Sequence, residues 1–346
     1  MPALLFPRTK KADATFWQPS LNAISPRNET VILLHGFPDT RETFSLLAPY
    51  LRSNGFDVLV PSLPGYAPLR SSSFAPSSLE PYTLTRLKTS LFAYIRDNCD
   101  GQRVHVVGHD WGSVIAQRAA VDSPEAFLSV TLLAVPFDFY KNVLEVCPTQ
   151  ALASSYMAFF QLPHPLPELA CINHGYIERL FQTWSPTWGE RRVHAIAVRD
   201  ELANLSAITS ALNYYRANIC LDSTLLRLFL LLLLPFLPLL RLPFVSNLIK
   251  YVPLLSHHPL HRLQLSNVER NLRCRVLQIG GVNDGCVKAE LFTAASLDKD
   301  ANVFMVEAAG HWLHLEQPSK VNLLILAHLR KHHARERDTN VKVKNS

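Results

Sequence analysis

The 346-residue chain is poor in the features that mark the specialised protein classes. Its six cysteines, Cys99, Cys147, Cys171, Cys220, Cys274 and Cys286, form no CxxC pair and follow no regular spacing. That argues against a disulfide framework or a cysteine-based zinc site and suits a reducing compartment. The first residues, MPALLFPRTKK, contain too short an apolar run for a secretory signal peptide. The expectation is therefore an intracellular protein, cytoplasmic or on the cytosolic face of a membrane. The glycosylation triplets at Asn28-Glu29-Thr30 and Asn204-Leu205-Ser206 are then chance matches. Acidic residues are the minority sign, 28 against 34 Lys and Arg, for a net charge of +6. Aromatic–basic repeats are nevertheless missing, so no nucleic-acid partner is expected, and the basic tail at 335–346 reads as solvated. Nor does any uninterrupted apolar run reach the roughly 20 residues of a membrane-spanning helix. Leu228 to Leu240, LFLLLLLPFLPLL, comes near but is fenced by Arg227 and Arg241 and broken by Pro235 and Pro238.

What the chain does have is apolar mass: 48% of its residues are hydrophobic and 18% charged, enough for a large buried core. A lead-in strand is expected near Thr15 to Gln18. The first strong element is Thr30 to His35, TVILLH, a continuous apolar run of the kind buried on both faces of a parallel sheet. A helix is expected over Thr40 to Ser53, a strand over Asp57 to Val60, a Ser/Pro-rich loop over Arg70 to Pro81 and a helix over Thr83 to Asn98. A strand over Arg103 to Gly108, a helix over Gly112 to Asp122 and a strand over Val130 to Val135 follow. After Pro136 the rhythm becomes helical or irregular until about Asn267. It resumes with Arg275 to Gly280 (strand), Lys288 to Leu297 (helix), Asn302 to Val306 (strand) and Pro318 to Lys331 (helix). Alternation of this kind is the signature of an α/β fold with a parallel sheet. The reading is one core domain, 1–136 with 268–334, interrupted by a mainly helical cap at 137–267 that carries the leucine-rich insert near 225–255.

The chemistry concentrates on Val104 to Ser113, VHVVGHDWGS. A β-branched run ends in Gly108, Asp110 stands between two glycines, and a helical pattern follows Gly112. This is the strand–tight turn–helix layout of a nucleophile elbow, where a Cβ at either glycine would collide with a neighbouring element. The bland alternative is that Asp110 only caps the following helix. A nucleophile also needs a base, and the base an orienting acid. Asp284, in the loop Gly281-Val282-Asn283-Asp284-Gly285, follows a strand, and His311 follows the last one. Both therefore belong at the carboxyl edge of the sheet, where open α/β sheets place their sites. His314, one helical turn on from His311, is the second candidate base and is expected to pack or cap.

With these residues in hand, the chain resembles the epoxide hydrolase branch of the α/β-hydrolase fold over about Thr30 to Lys331. HGFPDT at His35 to Thr40 is similar to the branch's oxyanion-loop motif, GHDWG at Gly108 to Gly112 to its nucleophile motif, and GHWLHLEQP at Gly310 to Pro318 to its histidine motif. Ser62 and Ala67 in PSLPGYA depart from the Asp and Gly common there. The resemblance implies a mostly parallel sheet with helices on both faces and a helical cap. It also implies two ring-opening tyrosines in that cap, Tyr156 in SYMAFFQ and Tyr215 in ALNYYR. Tyr214 would point about 100° away on a helix and is assigned to the core. Asp110 would attack an epoxide carbon and form an alkyl-enzyme ester. Tyr156 and Tyr215 would protonate the departing oxygen. His311, held by Asp284, would activate a water, and the backbone N–H groups of Phe37 and Trp111 would receive the oxyanion. No metal or organic cofactor is implied, and the expected partner is a small lipophilic substrate.

The rivals are weighed on residues. A haloalkane dehalogenase could use the Trp111 indole for halide, but Phe37 supplies no second side-chain donor. A fluoroacetate-type dehalogenase would need arginines beside the elbow, and Trp111 and Ser113 stand there instead. Serine esterases are disfavoured by Asp110 itself. A non-enzymatic ligand-binding or membrane-anchored scaffold is disfavoured by the complete set Asp110, Asp284 and His311. The run Leu228 to Leu255 is read as an element lying in a membrane surface that lets apolar substrates enter from lipid. A membrane span and a buried cap element are the alternatives. His257, His258 and His261 have no accompanying carboxylate and read as a cap loop rather than a metal site.

Overall fold

A computed structural model of the chain describes residues 29–66, 78–139, 143, 146–147, 149–219, 274–296 and 301–344. The run from Leu228 to Leu255, the strand expected near Thr15 to Gln18, Ala67, most of the Ser/Pro-rich loop, and His257, His258 and His261 lie outside these residues.

Six strands build one sheet: β1 (Thr30–Leu34), β2 (Asp57–Leu59), β3 (Val104–His109), β4 (Phe127–Leu133), β5 (Arg275–Gly281) and β6 (Ala301–Val306). Their order is β2-β1-β3-β4-β5-β6 and every adjacent pair is parallel. A parallel sheet is covered on both faces, so its strands can be apolar at every position. All residues of β1 and β3 are buried. Side chains alternate between the faces. Ile32, Leu34, Val104 and Val106 pack into one core with Leu87, Leu91, Ile115 and Ala119. These last come from α2 (Leu84–Asn98) and α3 (Trp111–Asp122). Val31, Leu33, Val107 and Leu277 enter a second core with Leu47, Leu51, Val321 and Ile325, from α1 (Leu47–Ser53) and a C-terminal helix, Pro318–Lys344.

Three boundaries differ from expectation by more than two residues. The helix expected from Thr40 is two pieces, a 3-10 turn at Arg41–Phe44 and then α1. Pro49 is the reason: it has no N–H and its ring clashes with the preceding turn, so it is tolerated only where a helix is starting. β4 begins at Phe127 rather than Val130. Polar Ser129 hid its start, yet Ser129 is buried with its hydroxyl 2.8 Å from His105 Nδ1, so it costs the sheet little. The last helix runs to Lys344, past the expected end at Lys331.

Between β4 and β5 the described residues hold helices and no strand: α4 (Gln150–Ala153), α5 (Ser155–Phe159), α6 (Leu166–Asn173), α7 (Tyr176–Trp184), α8 (Arg191–Glu201) and α9 (Leu205–Asn218). After β5 come α10 (Ala289–Ser296), α11 (Leu313–Glu316) and α12 (Pro318–Lys344). Among the described residues no helix is long and apolar enough to cross a membrane.

Candidate active site

Four strands deliver the site from one edge of the sheet. The loop after β1 carries Gly36 and Phe37, the turn after β3 carries Asp110, and the loops after β5 and β6 carry Asp284 and His311. Asp110 has φ 50° and ψ −116°, a conformation that L residues rarely adopt. Such strain costs of order 1–3 kcal/mol and persists only where the surroundings enforce it. Here they do. Asp110 N–H donates to Leu133 O at 3.2 Å, and Ser113 N–H donates to Asp110 O at 2.9 Å. The Ser113 hydroxyl, 2.7 Å from Gly108 O, also accepts from Leu133 N–H at 3.0 Å, tying the elbow to β4. The glycines are a matter of space: a Cβ on Gly108 would lie 2.3 Å from Gly112 O, and one on Gly36 would lie 2.4 Å from Asp110 Cβ.

Asp110 stands at the N-cap position of α3, but its side chain makes no capping bond there. Its Oδ1 accepts from Phe37 N–H at 2.7 Å instead. Trp111, the second expected amide, is the first residue of α3, where N–H groups have no intrahelical partner. Oδ2 faces His311 Nε2 at 3.6 Å, longer than a hydrogen bond. On the other side of the ring, Nδ1 lies 2.9 Å from Asp284 Oδ2. Asp284 is fixed in turn, Oδ1 accepting from Cys286 N–H at 2.7 Å and Val287 N–H at 3.0 Å. Burial disfavours a charged His311, but the charge of Asp284, its hydrogen bond and the nearby Asp110 carboxylate outweigh it and raise its pKa to about 10. The two loops are docked on the end of α7, where Trp184 O accepts both Gly285 N–H and His311 N–H at 3.1 Å.

Tyr156 on α5 and Tyr215 on α9 stand over the elbow with ring centroids 5.7 Å apart. With Asp110 and Cys286 they line one cavity, whose other walls include Val114, Val135, Phe139 and Met157. Tyr156 Oη is 3.6 Å from Cys286 Sγ. Tyr215 Oη is buried, and the Trp111 side chain approaches it without normal hydrogen-bond geometry. Burial pushes both phenols well above their usual range, so both keep their protons. Tyr214 points away as expected, its hydroxyl donating to Pro64 O at 2.9 Å.

Two other histidines near the site have structural places. His35 Nε2 accepts from Leu63 N–H at 2.9 Å, which puts its proton on Nδ1, toward Gly36 O at 3.2 Å. Burial lowers its pKa to about 4, so the neutral ring anchors the loop that holds Ser62. His314 Nε2 is 2.7 Å from Thr43 Oγ1 and its ring lies against His109. Sequence reading missed Asp39 and its partners. Asp39 is fully buried, and its Oδ2 accepts from His194 Nε2 and Trp312 Nε1, each at 2.8 Å. It ties the loop after β1 to α8 and to the His311 loop. Burial opposes its charge, but His194 overrides that and holds its pKa at about 2. Its position inside HGFPDT was the only local hint.

Residues 31–322 match the family described as the alpha/beta hydrolase family. The chain is 32% identical over 149 residues to Epoxide hydrolase A of Mycobacterium tuberculosis, covering 41% of this chain and 44% of that protein. It is 24% identical over 319 residues to human Epoxide hydrolase 4, covering 89% of this chain and 74% of that protein. The solved structure of potato (Solanum tuberosum) epoxide hydrolase I shares the fold with a TM-score of 0.60 at 18% identity, covering 91% of this chain and 99% of that one. The chain spans about half the length of the first curated relatives it matches.

Proposed function

The chain belongs to the alpha/beta hydrolase family, and on that premise we propose that it is an epoxide hydrolase, opening a lipophilic epoxide to a vicinal diol through an aspartyl ester. The observation that carries this reading is the pairing of a strained Asp110 with two protonated tyrosines across one apolar cavity. The similarity to proteins named as epoxide hydrolases supports it.

In this reading Phe37 N–H holds Asp110 Oδ1 and leaves Oδ2 to attack. The new bond joins Oδ2 to an epoxide carbon as the ring C–O bond breaks. The freed oxygen is far too basic to leave unassisted, and Tyr156 and Tyr215 deliver its proton. Ester formation removes the negative charge of Asp110, one of the two that keep His311 protonated. His311 then gives up its proton, which restores the tyrosine that lost one in ring opening, and as a neutral base it takes a proton from water and directs the oxygen to Cγ of Asp110. The oxyanion forms against the N–H groups of Phe37 and Trp111, and as it collapses the diol leaves with the original Oδ2 and the proton held by His311. Fluoroacetate dehalogenase of a Burkholderia species is also a relative, 31% identical over 138 residues. Yet among the described residues no arginine or lysine lines the cavity to hold a carboxylate. Wild-type protein given a panel of lipophilic epoxides and haloalkanes should form diols and release no halide. Halide release without any diol would overturn the assignment.

In the same reading 137–267 is the cap over a core of 1–136 and 268–334, with 335–346 a basic tail. The protein works inside the cell, in the cytoplasm or on a cytosolic membrane face. The five cysteines among the described residues are all unpaired, which supports a reducing compartment. The apolar sequence of Leu228 to Leu255, whose leucine run is fenced by Arg227 and Arg241, is the segment that would meet a membrane surface. Deleting 228–240 should move the protein from the membrane to the soluble fraction. A wild-type protein already soluble without detergent would refute this part alone.

A further inference from the structure

Two hydroxyls can act on one departing oxygen only if their separation is held constant. Tyr156 sits on α5, a helix of five residues. So short a helix has no stability of its own, and its last carbonyls lack intrahelical partners. Tyr215 sits on α9, fourteen residues long. One side chain joins the two. Arg216, next to Tyr215 in sequence, donates Nε–H to Phe160 O at 3.0 Å and an Nη1 hydrogen to Glu168 Oε1 at 2.7 Å. Its Nη2 reaches Leu162 O at 3.5 Å.

Phe160 is the C-cap of α5 and is fully buried. Its ring packs against Tyr156 at 5.6 Å and against Tyr215 at 5.0 Å. Holding its carbonyl therefore holds the spacer between the two phenols. Glu168 on α6 is fully buried, with His164 Nδ1 3.2 Å away and its Oε2 without a hydrogen-bond partner. A buried ion pair is a poor device for stability, because apolar residues of similar volume usually do as well. What it adds is directional: a planar fork that engages a carboxylate and a carbonyl at once, which a lysine cannot copy.

We infer that Arg216, clamped by Glu168, is a positioning residue that sets the separation of the Tyr156 and Tyr215 hydroxyls for ring opening. The inference rests on the epoxide-opening reading and divides its two chemical steps. Formation of the Asp110 ester needs the tyrosines, whereas its hydrolysis uses His311 and Asp284, which Arg216 does not touch. In single-turnover experiments with an epoxide that wild-type protein converts, Arg216→Lys should slow ester formation by about 10²-fold and leave ester hydrolysis unchanged. A double variant, Arg216→Met with Glu168→Leu, removes the charge pair together. It should melt close to wild type yet show the same selective loss. Wild-type rates of ester formation in both variants, or equal slowing of both steps, would overturn the inference while the parent reading stands. Absence of any Asp110 ester in the wild-type protein would overturn the parent reading and this one with it.

Discussion

His311→Gln should bind one epoxide, open it, and stop with the opened epoxide as added mass on Asp110. The variant keeps the groups proposed for the first step, since the strained Asp110, its bond from Phe37 N–H and the two tyrosines all lie on other elements. Glutamine fills much of the buried volume and its amide can still donate to Asp284, but it has no basic nitrogen to take a proton from water. General-base assistance contributes about 10²–10⁴-fold, so ester hydrolysis should fall by that factor while the ester accumulates. Intact mass, followed by the peptide containing Asp110, reads the result. An unmodified variant beside an active wild type would sink the ester mechanism. The pH dependence is a second reading of the same step. In the resting protein His311 titrates near 10. The ester no longer carries the Asp110 charge, so its acid limb should lie below 10, with hydrolysis lost as pH falls and the imidazole protonates.

Gly112→Ala should abolish folding, or lower the melting temperature by more than about 10 °C. An added Cβ would lie 2.0 Å from Leu34 O, 2.6 Å from Leu34 C and 2.7 Å from His35 O. All three are backbone atoms at the end of a central strand, so no side chain can rotate away to make room. β1 or α3 must shift, and the Phe37 N–H that holds Asp110 shifts with β1. Losses of this kind exceed about 4 kcal/mol. Gly189→Ala is the control, because a Cβ there meets nothing within 4 Å; it should change stability by no more than about 0.5 kcal/mol. Equal melting temperatures for the two variants would mean that the strand and helix do not approach as closely as described.

These two variants also mark what could be read in advance. Gly108 is required by contacts within one strand–turn–helix unit, so VHVVGHDWGS announces that part of its geometry, whereas Gly112 is required by the approach of β1 at Leu34 and His35. The strands of a parallel sheet are buried on both faces, so TVILLH and VHVV needed no partner to be recognised. Asp284 and His311 each follow a strand, which places them at the same edge once the alternation is seen. Their actual contact, 2.9 Å across 27 residues of sequence, follows from that placement.

Other features had no local trace. Asp39 is joined to His194 and Trp312 across sequence separations of 155 and 273 residues. Nothing near Asp39 names either partner. Arg216 reads as an ordinary helix residue, and only the fold shows it gripping Phe160 and Glu168. The break before α1 turned on one proline within an otherwise helical pattern. By itself, then, the sequence determined the parallel sheet, the elbow and the order of Asp110, Asp284 and His311, because steric and burial demands act on neighbouring residues. Only the tertiary structure decided which buried charges pair and how the two tyrosines are spaced. Those depend on distances between elements, and a linear pattern does not encode them.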